Sequence, residues 1–184
     1  MKKGYKALEK DNILESVDYD KLMYMIDNFG TGLFLIGGPW CKNCQAIVPI
    51  LDEIGKNAGL DVIYTYDPRF IDVFGEENDL RDCKSLEIKL KYYAIVEKLG
   101  FKSEELVKDT LIPRIHVPFI FGLRNGSCVG YYSVEVLKKH NRLLDENKKD
   151  RTIDIIHNVD DIISKIKIDS NLLWKLNEMF KSMI

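Results

Sequence analysis

Short apolar runs alternate along this chain with amphipathic stretches of helical period, and that alternation sets the first expectation of its architecture. Between Asp18 and Asn28, Leu22, Met23, Met25 and Ile26 fall on one face, Asp18 can cap the first turn, and Gly30 follows as a stop, which predicts a short helix. Gly30-Thr31-Gly32 turns the chain into the run Leu33-Phe34-Leu35-Ile36, which reads as a buried strand. Ile47, Ile50, Leu51 and Ile54 then recur at helical spacing and predict a helix from about Cys41 to Asn57. Pro49 falls inside it, where it deletes one backbone hydrogen bond and should kink the helix. The alternating β-branched and aromatic run Asp61 to Tyr66, ended by Asp67-Pro68, predicts a strand and a turn.

Residues 69–112 change character. Glu76 to Leu99 is heavily charged, has apolar positions at Leu86, Leu90, Tyr93 and Val96, and ends at Gly100; Ser103 to Thr110 reads as a further short helix. The segment is therefore expected to be a helical insertion between two strands, too short for much core of its own. Next come two apolar runs flanking Asn125-Gly126, a strong hairpin signal. Thr152 to Lys167 places Ile155, Ile156, Val159, Ile162, Ile163 and Ile166 on one face, and Leu172, Leu173, Leu176, Met179 and Phe180 mark a final helical extension over 169–184. The charge clusters Glu76–Asp82 and Asp145–Arg151 read as solvated faces. Residues 1–17 are weakly patterned and predict no element.

With 184 residues, 46% of them hydrophobic, the chain can bury a real core, and 1–184 is expected to be a single domain. A formal net charge of −2 gives no electrostatic reason to expect nucleic acid or an anionic membrane as partner. Met1-Lys2-Lys3 is followed by neither an apolar core nor a small-residue cleavage site, and the apolar runs fall far short of the ~20 residues of a membrane span. The expectation is a soluble, cytoplasmic protein without membrane contact. In a reducing compartment its four cysteines read as thiols, ligands or catalytic groups rather than structural bridges.

Candidate chemistry centres on Gly37-Gly38-Pro39-Trp40-Cys41-Lys42-Asn43-Cys44, where the first strand turns into the helix that follows. Amide groups of a helix's first turn lack intrahelical partners and the dipole adds partial positive charge there, so a thiolate is favoured at that point. Two intervening residues let the second sulfur reach the first within a turn. Cys41 is expected to be the exposed nucleophile and Cys44 the buried resolving thiol. Half of a zinc site is a rival reading, but structural zinc usually takes four ligands, and the sequence holds no second CxxC or His pair, so no metal is expected. A purely structural thiol pair is the other rival. Lys42, between the cysteines, would favour the Cys41 thiolate, although lysines are more often simply solvated. Cys128 reads as a half-buried core thiol and Cys83 as an exposed one; His140 and His157 receive no role.

Taken together, Trp40-Cys41-x-x-Cys44, Pro49 five residues later and Val117-Pro118 before the hairpin resemble the thioredoxin-like family over roughly 18–66, 113–133 and 153–167. The resemblance implies an α/β fold, a central mixed sheet with helices on both faces, carrying here the insertion and the extra C-terminal helix. It implies that Pro118 is cis and lies against the cysteine pair, that Trp40 packs beside it, and that Asn43, Val117 and Pro118 border the substrate. His116, two residues before Pro118, could tune Cys41 or shuttle a proton, against the plainer reading of a hydrogen-bonded loop histidine. The implied activity is thiol–disulfide exchange without metal or organic cofactor, reducing a protein disulfide client with electrons from an upstream reductase. An accessory or protein-binding module of the same fold is the alternative. Two departures stand out: Lys42-Asn43 replaces the Gly-Pro of typical thioredoxins, and Leu35 occupies the position of the family's buried aspartate.

Overall fold

A computed structural model describes residue 5 and residues 8–82, 84–100, 115–133 and 154–167. The strands are β1 (Leu14–Val17), β2 (Gly32–Ile36), β3 (Ile63–Tyr66), β4 (Arg69–Ile71), β5 (Glu77–Asp79), β6 (Phe119–Arg124) and β7 (Ser127–Ser133). The helices are α1 (Tyr19–Asp27), α2 (Lys42–Asn57), α3 (Leu86–Leu99) and α4 (154–167). Five strands form the main sheet in the order β1-β3-β2-β6-β7. β1, β3 and β2 run parallel, and the direction switches between β2 and β6.

Side chains of successive strand residues point to opposite faces, and β2 uses both. Phe34 and Ile36 join Leu22, Met25 and Ile26 of α1 and Tyr92, Ile95, Val96 and Leu99 of α3 in one core layer. Leu33 and Leu35 join Ile47, Val48, Leu51 and Ile54 of α2 and Val159, Ile162, Ile163 and Ile166 of α4 in the other. A continuous apolar run is what a strand covered on both faces requires. The mixed sheet with helices on each face agrees with the sequence reading.

Local signals explain the elements that were predicted. Asp18 caps α1 by accepting from the Lys21 amide at 2.8 Å. The β6–β7 turn places Asn125 and Gly126 at φ 52° and 74°, the left-handed pair that lets a two-residue connection follow the sheet twist. Pro49 lies within α2, as expected.

Two readings need correction. The weakly patterned N-terminal region contains β1, an edge strand held at its start by Asp52 of α2, which accepts from the Ile13 amide at 2.8 Å. The region expected to be a helical insertion begins instead as an antiparallel hairpin, β4–β5, and its helix starts at Leu86 rather than Glu76. Asp72 organises the hairpin's tip: its carboxylate accepts from the amides of Phe74 and Glu76, each at 2.9 Å, and from the Asn78 side chain at 2.8 Å. Those bonds, the Glu76 amide foremost, hold the Asp72 carboxyl below its ordinary range. The predicted helices over 103–110 and 169–184, and the charge cluster 145–151, lie outside the described residues.

Candidate functional site

β2 delivers the chain to Gly37, whose amide bonds the Tyr66 carbonyl of β3 at 2.9 Å, and α2 begins five residues later. Cys41 is the N-cap of α2, in extended conformation, and its Sγ accepts from the Cys44 amide at 3.3 Å. The role that Ser, Thr, Asp or Asn usually plays at a helix start is taken here by sulfur, so a first-turn amide donates to the thiol. The Cys41 thiol also reaches the Val117 carbonyl, at 3.8 Å, and the Val117–Pro118 peptide is cis. Cys41 is partly exposed, whereas Cys44 is fully buried.

Cys44 lies directly under the backbone at Gly37. A Cβ at that glycine would come within 2.5 Å of Cys44 Sγ and within 3.8 Å of Val117 Cβ, so only glycine lets the motif loop close over the buried sulfur. Burial pushes the Cys44 thiol up, and the neighbouring Cys41 adds to the shift, while the Gly38 backbone and the Arg81 charge oppose it.

Trp40 is held rather than merely packed. Its Nε1 donates to Asp67 at 2.9 Å, and the Arg69 guanidinium lies 3.8 Å from its ring centroid. Lys42 and Asn43 are exposed at the helix start. His116 is partly buried in the segment leading to Pro118, with its Nε2 closed to solvent. Cys128 is half-buried against the α1/α3 core, and His157 is exposed. Cys83 and His140 lie outside the described residues. Among the described residues no three His, Cys, Asp or Glu side chains cluster as a metal site, and no helix is long and apolar enough to cross a membrane.

Leu35, in the position where the resemblance implies an acid, is fully buried among the apolar residues facing α2. Two polar groups near the cysteines went unread in the sequence. One is Tyr5, whose hydroxyl is buried without a hydrogen-bond partner among the described residues. Burial, then Cys44, Asp67 and Cys41, all disfavour its ionisation. The other is Arg81, from the cluster taken as a solvated face: it is 8% exposed and lies 5.4 Å from the Trp40 ring. An arginine that close to Trp40 had no local signal, because its burial depends on the Ile115 carbonyl and the Trp40 ring, both distant in the chain.

Cys44, Tyr5 and Tyr66 share one consequence. Each is pushed above its ordinary value, 9.0 for the thiol and 10.0 for the phenols, chiefly by burial. Once the pH passes those ordinary values the unfolded chain releases protons that the folded chain retains. Stability from these groups is full below about pH 8 and falls as pH rises beyond 9. The urea midpoint is expected to drop steadily between pH 8.5 and 10.5, and Tyr66→Phe to flatten part of the fall; a level midpoint in the parent chain contradicts the shifts.

No protein-family model and no curated protein matches this sequence. Among solved structures, thioredoxin O1 from Arabidopsis thaliana in its oxidised state is similar at 17% identity over 70% of this chain and 95% of that one, with a TM-score of 0.36. Thioredoxin f from spinach chloroplast is similar at 18% identity over 72% and 95%, with a TM-score of 0.35. Thioredoxin f2 from Chlamydomonas reinhardtii is similar at 14% over 70% and 96%, also at 0.35. The strand order, the switch from parallel to antiparallel pairing at β2 and β6, and the CxxC motif heading α2 beside Val117-Pro118 make this chain thioredoxin-like in fold.

Proposed function

We propose that the chain carries out thiol–disulfide exchange through Cys41 and Cys44, in the direction that reduces a protein disulfide. The observation that carries this reading is the N-cap position of a partly exposed Cys41, its sulfur receiving the Cys44 amide, with a second, fully buried thiol one turn behind it. Cys41 as thiolate attacks one sulfur of the client disulfide, and the client's other sulfur leaves as a thiolate. Cys44 then attacks Cys41 Sγ, the mixed disulfide breaks, and the client departs reduced. A dithiol reductase upstream restores the pair. In this reading backbone groups around Val117 and Pro118 hold the client peptide, and the chemistry needs no metal or organic cofactor.

Equilibration in glutathione buffers, followed by alkylation and mass spectrometry, tests this directly. A two-electron transition of the Cys41–Cys44 pair is expected, within the range of about −270 to −120 mV. A midpoint at the reducing end supports client reduction; one at the oxidising end reverses the direction. A pair that never closes overturns the reading. One observation favours a second reading, an accessory module that holds a partner without turnover: Val73 and Phe74 at the β4–β5 tip are 93% and 87% exposed. Such a module would keep its partner after both cysteines are replaced.

A further inference from the structure

Arg81 is a buried cation whose contacts reach both the residue before Cys41 and the wall that carries Val117 and Pro118. Its Nε and Nη2 donate to the two oxygens of Asp79, at 2.9 and 2.6 Å, forming a two-pronged pair. Its Nη1 donates to the Ile115 carbonyl at 3.0 Å, two residues before Val117. On the other side it approaches the ring of Trp40, the residue preceding Cys41. Arg81 and Ile115 line one small cavity with Ile36, the residue before Gly37, and Cys44 lies under Gly37. A buried thiol that must ionise is costly in such a place unless fixed positive charge offsets the lost hydration.

We propose that Arg81 is a positioning residue of the exchange site: its charge favours the Cys44 thiolate at the moment of resolution, and its bond to Ile115 fixes the wall carrying Val117 and Pro118. This inference rests on the exchange reading above and adds to it a residue that replaces nothing in the motif itself. The downward pull of Arg81 on the Cys44 thiol, against burial, agrees with it. Other groups share the field. Cys41, the Gly38 backbone and Tyr5 face Cys44, whereas Asp79, Asp82 and Tyr92 face Arg81, and Arg69 lies 3.9 Å from Asp79. Asp79 therefore moderates Arg81, and removing its charge should expose more of the positive field to Cys44.

The internal step can be timed without a client. The full chain, with Cys83 and Cys128 changed to serine, is reduced and mixed with a chromogenic aromatic disulfide. Cys41 attacks it, forming a mixed disulfide and releasing one aromatic thiolate. Cys44 loses its proton to solvent and attacks Cys41 Sγ, so the Cys41–Cys44 bond forms and the second aromatic thiolate leaves. In Arg81→Met the second phase is expected to slow about tenfold at pH 7, and its pH profile to move about one unit upward. Arg81→Lys should recover most of the rate, and Asp79→Asn should speed the step or move its profile downward. An unmoved profile in Arg81→Met overturns the inference, as does slowing in Asp79→Asn equal to that in Arg81→Met, which would mark a tether without an electrostatic role. Should Arg81→Met fail to fold, Asp79→Asn decides: a faster step or a profile moved downward supports the inference, and an unmoved profile with an equal or slower step overturns it. A parent chain that stops after the first phase overturns the exchange reading along with this one, whereas two phases in the parent with an unmoved variant profile overturn the role of Arg81 alone.

Discussion

Replacing Cys41 by serine is expected to lower disulfide exchange by on the order of 10³-fold or more, because the attacking group itself is lost. A serine hydroxyl stays protonated at neutral pH and is a poor nucleophile toward sulfur. Cys44 cannot substitute, since it is fully buried beneath Gly37 and receives no client sulfur without rearrangement of the motif loop. Cys44→Ser should fail differently. Its Cys41 still attacks, but nothing attacks Cys41 in turn, so mixed disulfides accumulate and can be captured by mass spectrometry under non-reducing conditions. The pair of outcomes, silence in one variant and trapping in the other, is what assigns the two roles. Equal activity in all three chains would remove the cysteines from the function and leave the partner-binding reading.

The largest effect on stability is expected from Phe34→Ala. Phe34 is 1% exposed and stacks on Phe121 at 5.0 Å between ring centroids and on Tyr64 at 5.1 Å, joining three adjacent strands of the sheet. Truncation removes the ring and leaves a cavity that its neighbours, themselves fixed in strands, can only partly fill. A loss of about 3–5 kcal/mol follows for a buried phenylalanine of this kind. That is a large share of a domain's usual total, roughly 5–15 kcal/mol. Phe34→Leu, which keeps most of the volume, should cost far less. Urea unfolding reads both, and a loss below about 1 kcal/mol in the alanine variant would show that the ring stack does not anchor this layer. Phe34 faces α1 and α3, whereas α2 packs on the opposite face, so the chemistry of the folded fraction should survive the substitution.

Much of this architecture was legible because it is written in local periodicity. α1 carries its own cap in Asp18, β2 its two-sided apolar run, α2 its helical spacing, and the β6–β7 turn its Asn125-Gly126 pair. The cysteine motif was legible for the same reason: a strand, a tight turn and a helix start are adjacent in sequence, so the placement of Cys41 at the N-cap follows from the pattern. β1 was not legible, because an edge strand of four residues with two exposed positions leaves little alternation to detect. The β4–β5 hairpin left a faint trace in Asp72 to Gly75, an Asp followed by a Gly three residues on, but the charge around it read as a solvated face.

The sequence by itself determined the layered α/β order, the core faces of the helices and the position of the dithiol, since each depends on residues within a few positions of one another. Tertiary structure alone decided that Arg81 and Asp79 are drawn inward, that Arg69 covers Trp40, and that the Tyr5 hydroxyl is buried near the cysteines. The reason is physical: whether a charge is solvated or buried depends on the partner that meets it, and the partners of Arg81 come from the Ile115 backbone and the Trp40 ring, 34 and 41 positions away along the chain.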